Sequence, residues 1–169
     1  MADAAEPVRR PPGTDADIRL TQDVLFFAYR DFTHAADVIL DELGLGRAHH
    51  RALHFIGRHP GITVSELLSI LRITKQSLAR VLNELIERGD VAQTQGLGDR
   101  RQRPLRLTEA GAALERRLFE RQRAVLAEAL RHAGAQAAAG FHAVMRGVMD
   151  ETARAWIDLG ERNASKRAP

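Results

Sequence analysis

Apolar residues recur at intervals of three and four along most of this chain, a period typical of amphipathic helices. The first such pattern runs from about Leu20 to Leu43 and ends at Gly44 and Gly46, because glycine favours the left-handed backbone that closes a helix. A second, shorter helix carries Leu53 and Ile56, and Pro60 with Gly61 stops it. The pattern therefore predicts two consecutive helices before residue 60.

Two further helices follow at close spacing. Thr63 and Glu66 form a capping box for the segment TVSELLSIL, and Thr74 is a suitable N-cap for KQSLARVLNELIERG. The second of these segments carries a narrow apolar stripe with a helical period and ends at Gly89. The stripe consists of Leu78, Val81, Leu82, Leu85 and Ile86. A pair of helices joined by so short a turn predicts a helix-turn-helix.

A hairpin and two long helices complete the pattern. The segments DVAQTQ and RPLRL predict two short strands joined by GLGDRRQ, and Pro104 is expected to confine the second strand to a sheet edge. Long helices are predicted from Thr108 to about Ala133 and from about Ala135 to Leu159. We expect Phe141, Met149 and Trp156 of the last helix to lie in a dimer interface or in the core beside it.

The predicted fold class is mainly α with a small β-hairpin wing. Residues 46–107 have the layout of a winged helix-turn-helix, and residues 18–44 and 108–160 supply flanking helices. Those helices have apolar faces but little core of their own, so association with a second copy is expected to cover them. Residues 18–160 form one domain in this interpretation, between a disordered tail at 1–17 and a polar tail at 161–169.

Composition narrows the class of protein further. The chain has 169 residues, a net charge of +3 and no cysteine, which excludes disulfides and thiolate metal sites. Its N-terminal residues lack the apolar run of a signal peptide, and no stretch resembles a membrane helix. The sequence thus predicts a cytoplasmic protein with a hydrophobic core. Because a small net charge can conceal a basic patch, the local distribution of charge is more informative than the total.

The predicted second helix of the helix-turn-helix presents polar residues away from its apolar stripe. Lysine and arginine reach phosphates and guanine, whereas glutamine and asparagine pair with adenine edges. The DNA-binding candidates here are Thr74, Lys75, Gln76, Ser77, Arg80 and Asn83. The alternative is a solvated helix face of the same composition.

The hairpin tip adds a second candidate contact. It carries Asp99, Arg100, Arg101 and Arg103, and arginine is the residue that enters narrow minor grooves. Asp99, two residues before Arg101, can hold that guanidinium in place, while Arg100 and Arg103 are expected to meet phosphates or solvent. A merely solubilising loop explains the charges but not the Asp99 spacing or the position after a helix-turn-helix.

The run DRRQRPLRLTEAG resembles the wing signature of the MarR transcriptional regulators, and ITVSELLSILRITKQSLARVLNELIERGDV resembles their helix-turn-helix. A finer similarity, in HHRALHFIGRHPG and TKQSLARVL, is to the PetP-like subgroup. The resemblance implies a homodimer on a pseudo-palindromic DNA operator, with Arg101 in the minor groove. It also implies modulation by a small-molecule effector held between the dimer helices and the winged domain.

Seven histidines are the remaining conspicuous feature. His50 and His54 lie one turn apart, a spacing used by metal sites, but no adjacent carboxylate or thiol completes a set, and lining a cleft or the surface is the simpler interpretation. Following the resemblance, Tyr29, His34, His50 and His54 are predicted to line a ligand pocket. No cofactor, metal or catalytic motif is expected. The alternative function is a ligand- or metal-binding sensor whose winged domain makes protein contacts.

Overall fold

The computed structural model describes residues 13–93 and 103–165, with side chains up to residue 163. The helices are α1 (Asp15–His34), α2 (Asp37–Glu42), α3 (Arg47–Arg58), α4 (Val64–Leu71), α5 (Lys75–Glu87), α6 (Glu109–Val148) and α7 (Glu151–Ser165). Strands β1 (Val91–Gln93) and β2 (Leu105–Leu107) form the hairpin. The predicted fold class, a winged helix-turn-helix between flanking helices, is therefore confirmed.

Side-chain caps begin several of these helices at the positions that the sequence indicates. Thr63 and Glu66 form the expected reciprocal box at α4, and the hydroxyl of Thr74 accepts from the backbone N–H of Ser77 at α5. Thr14 forms a similar box with Asp17, so α1 begins at Asp15, several residues before the predicted start. Each cap satisfies a backbone donor that has no partner within the helix.

Two predicted helices are each divided in the structure. The helix expected through Leu43 breaks at Ala35 and Ala36, after which α2 turns toward the core and Ala36 is fully buried. The helix expected from residue 135 to 159 breaks at Met149, which has extended backbone. Alanine and methionine are both good helix formers, so local propensity hides these breaks. The interruption at Gly134, with φ 80°, agrees with the predicted boundary.

The core lies inside the winged helix-turn-helix. Buried side chains come from α2 to α5, from both strands and from the first turns of α6. The largest fully buried ones include Leu40, Leu53, Ile56, Leu67, Leu78, Leu85, Leu105 and Leu118. Helix α1 contributes no buried residue. The winged helix-turn-helix thus contains the core, whereas α1 has an uncovered apolar surface.

Strand β2 is one of the two strands of the described sheet and thus an edge strand, as Pro104 predicts, but its outer side is not free. It pairs antiparallel with β1, with Val91 opposite Leu107, and on its other side Leu105 exchanges two backbone hydrogen bonds with residues 61 and 62. Both of these bonds measure 2.9 Å. Pro104 precedes the strand and removes none of these bonds, so the hairpin is tied to the chain that leads into α4.

The hairpin, α5 and α6 meet at the junction of Asp90 with the first turn of α6. Thr108 donates its hydroxyl to the carbonyl of Gly89 at 2.6 Å and its N–H to the carbonyl of Asp90 at 3.1 Å. The hydroxyl also accepts from the N–H of Gly111 at 3.1 Å, which caps α6. A Cβ at Gly111 would lie 1.9 Å from the Asp90 carbonyl oxygen. Only glycine fits at this approach of two backbones.

Gly111→Ala is expected to destabilise the protein by about 2–4 kcal/mol, because the added methyl group must displace backbone rather than a flexible side chain. Urea unfolding at a fixed protein concentration measures the change. The matched control is Gly147→Ala, in the same helix, where nothing lies within 4 Å of the new Cβ. There we expect stability to be unchanged or higher by about 0.5–1 kcal/mol. Equal effects of the two substitutions would contradict the close approach.

Candidate nucleic-acid interface

Helix α5 buries one side and presents the other to solvent. Leu78, Val81, Leu82 and Leu85 are buried in the core, as the apolar stripe predicts. All six predicted DNA-binding candidates of this helix are exposed, namely Thr74, Lys75, Gln76, Ser77, Arg80 and Asn83. The structure thus leaves them accessible on the first three turns of the helix, away from its buried side.

Two of the six candidates already have structural roles. The Thr74 hydroxyl accepts from the Ser77 N–H at 3.1 Å and donates to the Ser77 hydroxyl at 2.8 Å. These bonds orient both hydroxyls at the helix start, where backbone N–H groups and the helix dipole favour an anion such as phosphate. Their capping role therefore makes them better placed for phosphate than for a base edge.

The cations of this surface have no acidic partner within the described part of the chain. Lys75, Arg80 and Arg103 are exposed, and none of them forms an ion pair there. Unpaired exposed cations are available to phosphates without first breaking a bond. The predicted wing-tip contacts Asp99, Arg100 and Arg101 lie outside the described residues.

A buried histidine sets the position of α5 against α3. His49, only 6% exposed, accepts the Gly46 N–H on Nδ1 at 3.0 Å. Its Nε2 therefore carries the proton and donates to Glu84 at 2.6 Å. Glu84 follows Asn83 and lies one turn after Arg80, so this bond fixes the rotation of the exposed face. Sequence reasoning missed this pair, because the two residues are 35 positions apart in the chain.

The turn between α4 and α5 is held by α7. Arg72 has a left-handed backbone, with φ 50°, which is uncommon for a residue other than glycine. Its guanidinium pairs with Asp150, which lies directly before α7 and also accepts the Ala153 N–H at 2.8 Å. One carboxylate thus caps α7 and holds the turn from which α5 starts, a link that the sequence pattern did not reveal.

The four predicted pocket residues lie near the meeting of α1, α2, α3 and α6, but in separate interactions. Tyr29 is exposed, and Nδ1 of His34 lies 3.1 Å from Asp37. Nδ1 of His54 lies 3.7 Å from Glu115, and His50 is half-buried. In the part of the chain that the structure describes, no group of three histidine, aspartate or glutamate side chains could hold a metal ion. The metal-sensor alternative therefore gains no support from these residues.

Asp37 organises the polar side of that region. Arg47 donates two hydrogen bonds to its carboxylate, at 2.6 and 3.1 Å. The Arg47 hydrogen bonds, with a smaller effect of His34, hold the pKa of Asp37 below its usual range. An arginine already paired in this way is not free to bind an anionic ligand, so any ligand there must displace Asp37 or use the histidines.

Two cavities lie instead along α7. One of about 410 Å³ is lined by the 59–62 segment, Glu66 and, from α7, Trp156, Leu159 and Asn163. The other, of about 190 Å³, lies between α4 and the start of α7. His59 packs edge-on against Trp156, with 5.0 Å between ring centroids, and its Nδ1 is buried without a hydrogen-bond partner among the described residues.

Comparison with known proteins now identifies the family. A family model described as the MarR family matches residues 43–102. The HTH-type transcriptional regulator PetP of Rhodobacter capsulatus is 52% identical over 141 residues, which cover 83% of this chain and 85% of that protein. The chain belongs to the MarR family. It is a transcriptional regulator, so the prediction that it is not an enzyme is confirmed.

Solved MarR structures share the fold. A MarR family regulator from Listeria monocytogenes, in complex with a 26mer DNA, aligns with a TM-score of 0.67 and 20% identity over 83% of this chain and 93% of that one. A MarR family protein of Mycobacterium tuberculosis, in complex with p-aminosalicylic acid, aligns with a TM-score of 0.55 and 24% identity over 75% and 96%. None of the helices in the described segments is both long and apolar enough to cross a membrane.

Acidification is expected to destabilise the protein through His59. Burial, with Arg58 and His54 nearby, lowers the pKa of His59, and burial does the same to the pKa of His50. The unfolded chain then takes up protons at a higher pH than the folded one, so stability is complete above about pH 7 and decreases as the pH falls through about 6.5. Urea unfolding at several pH values measures this dependence.

His59→Gln should flatten that pH dependence, leaving the part due to His50. His142→Gln, which removes an exposed histidine of α6, should leave it as in the wild type. If the two variants show the same profile, His59 does not contribute in this way.

Proposed function

We propose that this MarR regulator binds a pseudo-palindromic DNA operator as a homodimer and that a small molecule modulates the binding. The observation that carries the proposal is the face of α5. Lys75, Gln76, Arg80 and Asn83 project from a helix whose opposite side is buried and which a buried histidine holds in place. Such a face suits a DNA major groove, with lysine and arginine on phosphate or guanine and the amides on adenine.

The proposed wing contacts complete the interface. Arg101, positioned by Asp99, enters the minor groove, and Arg100 and Arg103 meet phosphates. The support is the position of the hairpin directly after α5, together with its attachment to residues 61 and 62 and to Asp90. The DNA complex of the Listeria monocytogenes regulator supports the same partner for this fold.

A dimer would bury apolar surface of α1 and α6 that is exposed to water in the single chain. Exposed apolar side chains are concentrated on α1 and on α6 beyond its first turns, where contiguous apolar area marks an interface. They include Leu20, Val24, Phe26, Phe27, Val125, Leu126, Leu130, Phe141, Val144 and Val148. Gln122 of α6 donates to the carbonyl of Phe32 in α1 at 3.3 Å, which joins the two helices. We infer that residues 18–44 and most of α6 form the dimer interface.

The helix-turn-helix and the terminal helices also suggest how an effector acts. The Mycobacterium tuberculosis relative binds p-aminosalicylic acid in its solved structure, which supports a small-molecule effector for this family member. The effector would bind between Tyr29 and His34 of α1 and His50 and His54 of α3. A ligand there would alter the angle between the two winged domains of a dimer, and hence the half-site spacing.

Replacing the cations of α5 tests DNA binding. Lys75→Ala and Arg80→Ala should each weaken binding to a fragment selected from the source genome by about 5- to 100-fold, since a base or phosphate contact contributes about 1–3 kcal/mol. Gel shift measures the affinity, and wild-type affinity should fall steeply as salt is raised. Arg162→Ala removes the same charge from an exposed position of α7, outside the proposed interface, and should change affinity little. Equal losses for all three variants would point to net charge rather than to this face.

Leu126→Glu should dissociate the dimer, because it places a carboxylate in the proposed apolar interface without a partner. Sedimentation velocity is expected to show a dimer for the wild type and a monomer for this variant. Val64→Glu changes an exposed apolar residue of α4, outside the proposed interface, and should remain dimeric. A dimeric Leu126→Glu protein would remove α6 from the interface.

A further inference from the structure

Glu84 lies one helical turn after Arg80 in α5, the spacing at which opposite charges on a helix form ion pairs. The two side chains do not pair. Arg80 is exposed and has no acidic partner among the described residues, and the Glu84 carboxylate lies 2.6 Å from Nε2 of His49. A residue from another helix thus holds the acid that Arg80 would otherwise meet.

Two hydrogen bonds orient the ring of His49, which is buried in the first turn of α3. Its Nδ1 accepts the Gly46 N–H at 3.0 Å, so the ring proton lies on Nε2 and is directed at Glu84. The bond to Gly46 therefore fixes both the tautomer and the direction of the donor. A mobile surface side chain would lose more conformational entropy in holding the same carboxylate.

A second cation also lies one turn from Glu84, but it is already bound. Arg88 donates to Asp90 at 3.0 Å and to the backbone carbonyl of Leu43 at 3.3 Å. Arg80 has no ion pair to break within the described part of the chain. A Glu84 carboxylate released by the histidine would therefore pair with Arg80 rather than with Arg88.

We propose that His49 is a positioning residue for DNA binding, which holds the Glu84 carboxylate away from Arg80 and so leaves that guanidinium free for DNA. The proposal rests on the proposed function, in which Arg80 contacts DNA. An Arg80 paired with Glu84 would have to exchange the carboxylate for a phosphate or a base. The displaced carboxylate would then lie beside the DNA backbone, where like charges repel each other.

Removing the donor tests the proposal on the full-length protein, with fluorescence anisotropy of a labelled operator fragment as the measurement. His49→Leu should weaken DNA binding about two- to tenfold, and less than Arg80→Ala does, because Arg80 is occupied rather than absent. If His49→Leu does not fold, His49→Asn replaces it, since the shorter amide cannot span from Gly46 to Glu84. His49→Gln should recover most of the loss, because its amide oxygen and nitrogen can take the places of Nδ1 and Nε2.

A second substitution separates this role from a merely structural one. In the His49→Leu protein, Glu84→Gln should restore most of the DNA affinity, because an amide has no charge with which to pair with Arg80. In the wild-type protein the same change should tighten binding only slightly. The matched control is Glu87→Gln, which removes an exposed charge three residues later in α5 and should have equal effects in both proteins. No restoration by Glu84→Gln, or equal restoration by Glu87→Gln, would overturn the proposal.

NMR of the Arg80 side chain tests the pairing without DNA. In the free protein, the Nε–H of Arg80 should exchange with solvent more slowly in His49→Leu than in the wild type, because a paired guanidinium is protected from exchange. An unchanged exchange rate would overturn the proposal whatever the DNA affinity. Slower exchange in His49→Leu, with Arg80→Ala leaving the DNA affinity of the wild type unchanged, would instead contradict the proposed function and leave the pairing.

Discussion

The approach of α6 to the backbone of Asp90 is the constraint on which the rest of the structure depends. At this point the end of α5, the start of β1 and the first turn of α6 meet without an intervening side chain, because position 111 is glycine. Thr108 donates hydrogen bonds to the carbonyls of Gly89 and Asp90, and its hydroxyl also caps α6. The direction of α6 relative to α5 is therefore set by backbone contact, which leaves less room for adjustment than contact between flexible side chains.

Helix α5 is held unevenly along its length. At its C-terminal end Arg88 bridges Asp90 and the carbonyl of Leu43, and in its middle Glu84 accepts from the buried His49. Its N-terminal end depends on the turn at Arg72, whose exposed pair with Asp150 is the weaker kind of contact, since solvent screens it. The end that carries Lys75 and Gln76 is thus the part most easily displaced, and it is also the part that a DNA groove would meet first.

The sequence predicted the elements that depend on local chemistry. The caps at Thr63 and Thr74, the start of the long helix at Thr108 and the buried stripe of α5 agree with the structure, because these features need only neighbouring residues. The breaks at Ala36 and Met149 were missed, since alanine and methionine continue a helix unless tertiary packing turns the chain. Asp150 was a usable signal for the second break, as aspartate is a favoured N-cap.

Only the exposed residues of the candidate site could be predicted from the sequence, and not the contacts behind them. The exposed residues of α5 follow from the period of its buried stripe, so Lys75 and Arg80 could be placed without coordinates. The contacts that hold α5 in place could not be predicted, because His49 and Glu84 are far apart in sequence and neither residue type indicates the other. The same holds for Arg72 and Asp150, which are 78 residues apart and are brought together by the fold.

The sequence predicts that all the terminal helices pack against a second copy, whereas the structure separates them into two groups. Helix α1 and the later part of α6 expose their apolar side chains, whereas α7 turns back and packs Trp156 against His59 of the winged domain. A partner subunit covering α1 and α6 would leave α7 on the winged domain of its own chain. In the proposed dimer, α5 would then be connected to the terminal helices in two ways, directly at Asp90 and through α7 at Arg72. The first connection is backbone contact and the second is an exposed ion pair, so we infer that the second is the easier one to change.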